Sequence, residues 1–265
     1  MPSFIAGITA HQVSLAWGVK YFSFPLNFIP PFSGAFFLKV LISGLFFGLC
    51  SFLLIEVLRL GKKYSGKLKI WPPVKGLIGG AVLTALTMIF STNYLGLGID
   101  TIENALEGGK IVWYAFFMKM LFTSITLNFG GSGGIITPIF FIGATAGATF
   151  ANMMGLDVPI FVAIGLTSLL AGAANTPIAA SIMSIEMFGP AVAPYAAVAG
   201  IISFLMTGHR SVYPSQVLSV VKSASIQAEV GREMHVIEAK FSERKKSVTG
   251  IIARAAQWTN SKLRR

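Results

Sequence analysis

"NFGGSGGIITPIFFIGATAG", residues 128–147, sets glycines at 130, 131, 133, 134, 143 and 147 around Pro138 in a stretch without a single charge. A glycine-rich loop that runs through Thr137-Pro138 into an apolar helix leaves bare backbone N–H groups at the helix start, where an anion can sit. The same run of glycines also suits a tight crossing of two helices. The solvent around the loop bears on that choice, and composition names the solvent.

Of the 265 residues, 54% are hydrophobic and only 12% charged, and the mean hydropathy is +0.72. An ordinary soluble domain carries about 25% charged residues, so the chain reads as an all-α integral membrane protein that crosses the bilayer several times. The formal net charge is +11, but the bases do not line one face. They gather at Lys62, Lys63, Lys67, Lys69 and Lys75, read as one polar loop, and in a run from Lys222 through Arg244, Lys245 and Lys246 to Arg264 and Arg265. By the positive-inside rule both groups belong to the cytoplasmic side. No nucleic-acid recognition module accompanies the charge, so no nucleic-acid partner is expected. The single Cys50 lies in an apolar run and is silent on redox compartment. The opening, "MPSFIAGITAHQVSLAW" (1–17), lacks a basic n-region and is not read as a signal peptide.

Apolar segments are expected near 2–17, 34–60, 76–90, 111–127, 135–153, 160–173, 177–188 and 191–207. A helix needs about 20 residues to cross the hydrocarbon, and only the second segment has them comfortably. The others must be broken, tilted or re-entrant, which is tolerated where protein or a watery cavity satisfies the backbone. Pro30-Pro31 precede the long helix, Gly61 is expected to end it, and Pro72-Pro73 precede the next. Gly108-Gly109 should close a polar loop holding Asp100, Glu103 and Glu107, and short helices should begin at Pro138, Pro177 and Pro190. Such chopped helices are typical of transporters and channels whose half-helix ends meet at the bilayer midplane. The small residues of 133–155 and 171–189 also fit ordinary membrane packing seams. From 222 onward the chain is charged, and a cytosolic or membrane-surface helix is expected.

The glycine loop is not a phosphate-binding P-loop, because "GGSGGIITP" has no lysine. In a low-dielectric interior the N–H groups of Ile135 and Ile136 could replace part of an anion's hydration shell without a full positive charge, which lets the ion leave again. In "TGHRSVYPSQ" (207–216), Tyr213 follows the last apolar helix and lies beside Arg210 and Pro214. Its phenol can donate to an anion, or it can serve as an interfacial anchor. Glu186 sits within an apolar segment and is expected to cap or pair locally. With three histidines and one cysteine, neither a metal cluster nor a nucleophile–base pair can be assembled, so no enzyme, metal or cofactor is expected.

The order "YLGLGIDTIENAL" (94–106), "GGSGGIITPIFFIGATAG" (130–147), "AGAANTPIAASIMSIEMFG" (171–189) and "TGHRSVYPSQ" (207–216) resembles the second half of the CLC family of chloride channels and proton-coupled anion transporters. The match is strong over 75–215 and weak over 1–70. The resemblance implies broken, tilted helices in a CLC-type inverted-repeat fold, only the later part present: 1–70 as the end of the first repeat with crossover helices, 71–217 as the second repeat with the anion-site loop, and 218–265 as a basic cytoplasmic tail. It also implies chloride or a similar small anion as cargo, protons as a coupled ion, and a homodimer in a lipid bilayer. The family's Gly-Ile-Phe-x-Pro motif, which offers backbone amides to the anion, reads here Gly134-Ile135-Ile136-Thr137-Pro138, with Gly133 ahead of it. Tyr213 matches the family's anion-contacting tyrosine.

Several features depart from the pattern. Ile136 stands where phenylalanine is usual, and the first-half motifs Gly-Ser-Gly-Ile-Pro and Gly-Arg-Glu-Gly-Pro are absent. Gly231-Arg232-Glu233 is followed by Met234 and His235 in the polar tail and reads as coincidence. Where the family has a proton-relay glutamate, the weakly matching early stretch offers His11 and Gln12. The reading is therefore a CLC-type channel or anion/proton exchanger whose chain is incomplete. A fluoride-selective branch and a non-transporting membrane scaffold subunit stand as alternatives.

Overall fold

A computed structural model describes residues 2–19, 23–26, 33–217, 226–227 and 240–241. The helices run in the order α1 (Pro2–Ala16), α2 (Gly34–Lys67), α3 (Pro72–Ile89), a 3₁₀ turn (Thr92–Tyr94), α4 (Ile99–Leu106), α5 (Ala115–Asn128), α6 (Ile136–Met154), α7 (Val158–Ala173), α8 (Pro177–Phe188) and α9 (Ala193–Met206). The described fold is thus helical, apart from a two-residue antiparallel ladder of β1 (Ile226–Gln227) and β2 (Lys240–Phe241). Those four residues are extended where a surface helix was expected; the rest of that tail, with Gly231-Arg232-Glu233, lies outside the described residues.

The long helix does not stop at Gly61. α2 is started by Ser33, whose Oγ accepts from the Phe36 N–H at 3.1 Å, and continues to Lys67. Gly61 is needed for a different reason: a Cβ there would collide with the Ser124 hydroxyl and come within 2.6 Å of Asn128 Nδ2. The glycine lets α5 press against α2, and the two are then stitched together by polar groups. Ser124 Oγ donates to the Val57 carbonyl at 3.0 Å, Asn128 Nδ2 to the Leu58 carbonyl at 3.3 Å, and Ser65 Oγ to the Asn128 carbonyl. Lys62, Lys63 and Lys67 accordingly ride the last turns of a helix rather than a loop, and Lys75 lies in the first turn of α3.

Among the described residues three helices are long and apolar enough to cross a membrane by length and composition, α2, α3 and α6, of which only α2 exceeds about 20 residues. The 34 residues of α2 extend about 50 Å at 1.5 Å per residue, well beyond a hydrocarbon core of about 30 Å, so this helix tilts or projects into water. Residues 99–106 form α4 instead of a polar loop, because Ile102, Ala105 and Leu106 fall on one face and are buried while Asp100 and Glu103 stay outside that buried face. Pro177 does open α8, whereas α6 begins at Ile136, two residues before Pro138, and α9 at Ala193 rather than Pro190.

α7 is the axis of the packing. Every residue from Ile160 to Ala173 is buried, against α6 on one side and α2, α8 and α9 on others. The α6–α7 crossing is backbone against backbone: a Cβ on Gly143 would lie 2.6 Å from Leu166 Cα, one on Gly165 2.5 Å from the Gly143 carbonyl, and one on Gly147 would strike the Phe161 carbonyl. So close an approach follows from small residues facing one another, as in other membrane helix pairs. Between α2 and α9, the Ser51 and Ser203 hydroxyls share a hydrogen bond of 3.1 Å beside Gly172.

Candidate functional site

The α6 start is built from the glycine-rich stretch 128–147. Ile135 is the N-cap residue, and its carbonyl takes the first helical bond, from the Ile139 N–H at 3.1 Å. The N–H groups of Ile135, Ile136 and Thr137 donate no backbone bond among the described residues, as expected where the i−4 partners lie outside a helix. Pro138 has no N–H and is buried, which locks the first turn. Gly131 to Gly134 are exposed. Gly131 is required, since a Cβ would sit 2.8 Å from the Thr126 carbonyl, whereas Gly133 and Gly134 face open space. The tight crossing that glycines of this region can serve is thus supplied further on, by Gly143 and Gly147, and the loop itself is left uncovered.

Ile135 and Tyr213 line a single open cavity of about 640 Å³. Its other walls are Ile55, Glu56, Leu58, Arg59 and Lys62 of α2, Leu127 and Asn128 at the end of α5, and His209 to Pro214 after α9. Ile136 is exposed and is not on the cavity wall, and neither are Gly133, Gly134, Thr137 or Pro138. Of the residues picked from sequence, the structure therefore joins Ile135 and Tyr213, with the remaining loop residues adjacent in the chain to Ile135.

Tyr213 is 37% exposed. Its backbone is set by short bonds: its own N–H donates to Ser211 Oγ at 3.1 Å, its carbonyl accepts from Gln216 N–H at 3.1 Å, and the preceding Val212 N–H donates to the Ala173 carbonyl at the end of α7, 2.9 Å away. Partial burial pushes the phenol pKa above its ordinary value, so at neutral pH the hydroxyl keeps its proton and remains a donor. The wall carries three fixed cations, Arg59, Lys62 and Arg210, against one carboxylate, Glu56. A concave surface with that balance attracts anions.

Glu56 and Lys119 were not singled out from sequence, though each left a signal. Glu56 is an acid in an apolar run with an arginine three residues on; it bonds Arg59 at 2.7 Å and Arg210 at 2.9 Å. Lys119 is a base within an apolar segment, which alone marks a residue for inspection. It is 1% exposed and donates to the carbonyls of Tyr94 at 3.1 Å and Gly96 at 2.7 Å. Glu186, expected to cap or pair, is instead exposed on α8 and makes no ion pair among the described residues. His11 and Gln12 lie on the exposed helix α1. Among the described residues no three of His, Cys, Asp or Glu converge as metal ligands would.

A model of the voltage-gated chloride channel family matches residues 1–208. The chain is 31% identical over 261 residues to the chloride/fluoride channel protein of Pseudomonas syringae pv. tomato, an alignment covering 94% of this chain and 58% of that protein. The voltage-gated ClC-type chloride channel ClcB of Escherichia coli O9:H4 is 28% identical over 160 residues, 57% of this chain and 38% of its own. The crystal structure of a CLC-type fluoride/proton antiporter superposes with a TM-score of 0.76 at 28% identity, over 80% of this chain and 54% of that one. The chain spans less than two thirds of the length of each.

Proposed function

Since the chain belongs to the voltage-gated chloride channel family, we propose that it moves a small anion, chloride or fluoride, through a membrane as part of a CLC-type channel or anion/proton exchanger. The anion is held by the N–H groups of Ile135 and Ile136 and the hydroxyl of Tyr213. One observation carries this reading: Ile135, at a helix start whose N–H groups have no backbone partner, and Tyr213, a protonated phenol, border the same cationic cavity. Neutral donors suit a transported ion, because they compensate part of the lost hydration without trapping the charge. Gly133, Gly134, Thr137 and Pro138 shape the loop that presents these donors. Arg59, Lys62 and Arg210 draw anions to the mouth.

In the same reading residues 1–70 end a first repeat, 71–217 carry the site, and 218–265 are a basic tail on the cytoplasmic side. The mouth opens on that side too, because Lys62, Lys63 and Lys67 mark the same end of α2. Fluoride is a specific candidate because two similar proteins are named for it.

The test is halide titration and liposome efflux with the full protein. Replacing Tyr213 by Phe removes one donor worth about 0.5–1.5 kcal/mol, up to about 3 toward a charged acceptor, so binding of the favoured halide should weaken by a few-fold to about a hundredfold. Ile136→Pro deletes an amide donor and should weaken it as well. Unchanged chloride and fluoride affinity in both variants would place the site elsewhere.

A further inference from the structure

We infer that Glu56 is a positioning residue that holds the Tyr213 segment in place by gripping Arg210, an inference that rests on the proposal that Tyr213 is an anion ligand. The two Glu56 oxygens have different partners. Oε2 accepts from Arg59 of the same helix, and Oε1 accepts from Arg210 Nη1 at 2.9 Å across 154 residues of sequence. The Arg59 side chain is 70% exposed and that of Arg210 46%, against 17% for Glu56, so the bond to Arg59 is the outer brace and the bond to Arg210 the less exposed, inner tie. Arg210 is seated on α2 twice, because its guanidinium carbon also lies 4.7 Å from the centroid of Phe52, one turn before Glu56.

Arg210 stands three residues before Tyr213. The segment leaves α9 through Gly208, whose φ of +61° is a left-handed conformation that a side chain would strain. Beyond this swivel, two of the ties that fix the segment are Arg210 to α2 and Val212 N–H to the Ala173 carbonyl of α7. Tyr213 comes directly after the second. Loss of the first tie leaves the swivel opposed by fewer contacts and lets the phenol wander from the cavity. The tether is electrostatically paradoxical, which makes it testable. A carboxylate on the wall of an anion cavity repels the anion, so on charge alone removing it strengthens halide binding; as a clamp, removing it weakens binding.

The experiment uses the full chain in lipid nanodiscs, with chloride and fluoride titrations and amide hydrogen exchange over residues 208–216 for Glu56→Gln, Arg210→Met, Tyr213→Phe and their pairwise combinations. Glu56→Gln should weaken halide binding about three- to tenfold, between the effects of exposed and charge-assisted buried pairs. It should add little in the Tyr213→Phe background and should speed exchange at Val212 and Gln216. Arg210→Met, which also removes a cation from the cavity wall, should match it in exchange and weaken halide binding at least as much, and the double variant should exchange no faster than either single one. Arg59→Met leaves the tie to Arg210 and should leave exchange at Val212 and Gln216 within about twofold of wild type, whatever the loss of a cavity cation does to halide affinity. Tighter halide binding in Glu56→Gln, unchanged exchange there, or an Arg59→Met variant that speeds exchange at Val212 and Gln216 as Glu56→Gln does would each overturn the clamp. If Tyr213→Phe leaves halide affinity unaltered, Tyr213 is not an anion ligand, and exchange in Glu56→Gln still decides the clamp: faster supports it, unchanged ends it.

Discussion

Lys119 shows how a charge can be accommodated deep among apolar helices. Its ammonium donates to two carbonyls, of Tyr94 and Gly96, and lies 4.8 Å from the centroid of Phe141 on α6. Carbonyl dipoles and the negative face of a ring together replace water around the charge. In return the lysine fixes the 3₁₀ turn and the following loop against α5 and α6, where Gly98, at φ +73°, leaves no room for a Cβ beside Phe141. Replacing Lys119 by Met leaves those carbonyls without their donor and should lower stability by about 2–4 kcal/mol. Thermal unfolding in detergent and proteolysis near Gly96 measure this; wild-type behaviour in both would mean that the packing of Tyr94 alone secures the loop. The lysine itself was visible in the sequence. Its partners, in a turn more than twenty residues earlier, were not, because backbone carbonyls leave no mark on residue identity.

At the scale of elements, the opening stretch turns out to contain glycines of two kinds. Gly133 meets nothing within 4 Å, whereas a Cβ on Gly147 would press into the Phe161 carbonyl and lie 2.7 Å from Val162 Cα, both main-chain atoms of α7. Backbone cannot yield as a flexible side chain can. Gly147→Ala should therefore separate α6 from α7 and cost about 1–3 kcal/mol or more, while Gly133→Ala should melt within about 1 °C of wild type, as surface changes away from special geometry do. Equal melting temperatures for the two variants would contradict the crossing described here. Sequence alone left both roles open for the loop, a bare helix start or a close approach, since glycine's lack of a side chain serves either. Only the neighbour across the gap tells them apart. Gly61 teaches the same lesson: read as a helix end, it is a contact point within a helix that continues to Lys67.

For the whole molecule, the question is what covers its apolar exterior. Ile178, Ile182 and Ile185 of α8 are 77%, 51% and 51% exposed, forming a stripe on one face beside exposed Ile201 and Leu205 of α9. The expectation of a homodimer, with its interface on segments 2–17, 34–60, 177–188 and 191–207, puts a second copy against this stripe. Because Cys50 is buried, a single cysteine at Ile182 should give disulfide-linked pairs in native-like bilayers, whereas one at Val74 on α3 should not. Failure of Ile182→Cys to cross-link at any protein-to-lipid ratio would count against that arrangement.

Hydropathy and the backbone limits of proline and glycine act locally, so the solvent, the helical class, the order of the motifs and the approximate place of most spans are legible before any folding. Motif order also brought Ile135 and Tyr213 to attention. Packing settles the rest: that α2 continues past Gly61, that 99–106 coil into a helix once Ile102, Ala105 and Leu106 find a core, that Ile135 and Tyr213 share a cavity whose lining does not include Ile136, and that Glu56 reaches Arg210. Each of these depends on contacts between residues distant in the chain, and such contacts exist only after the helices have packed.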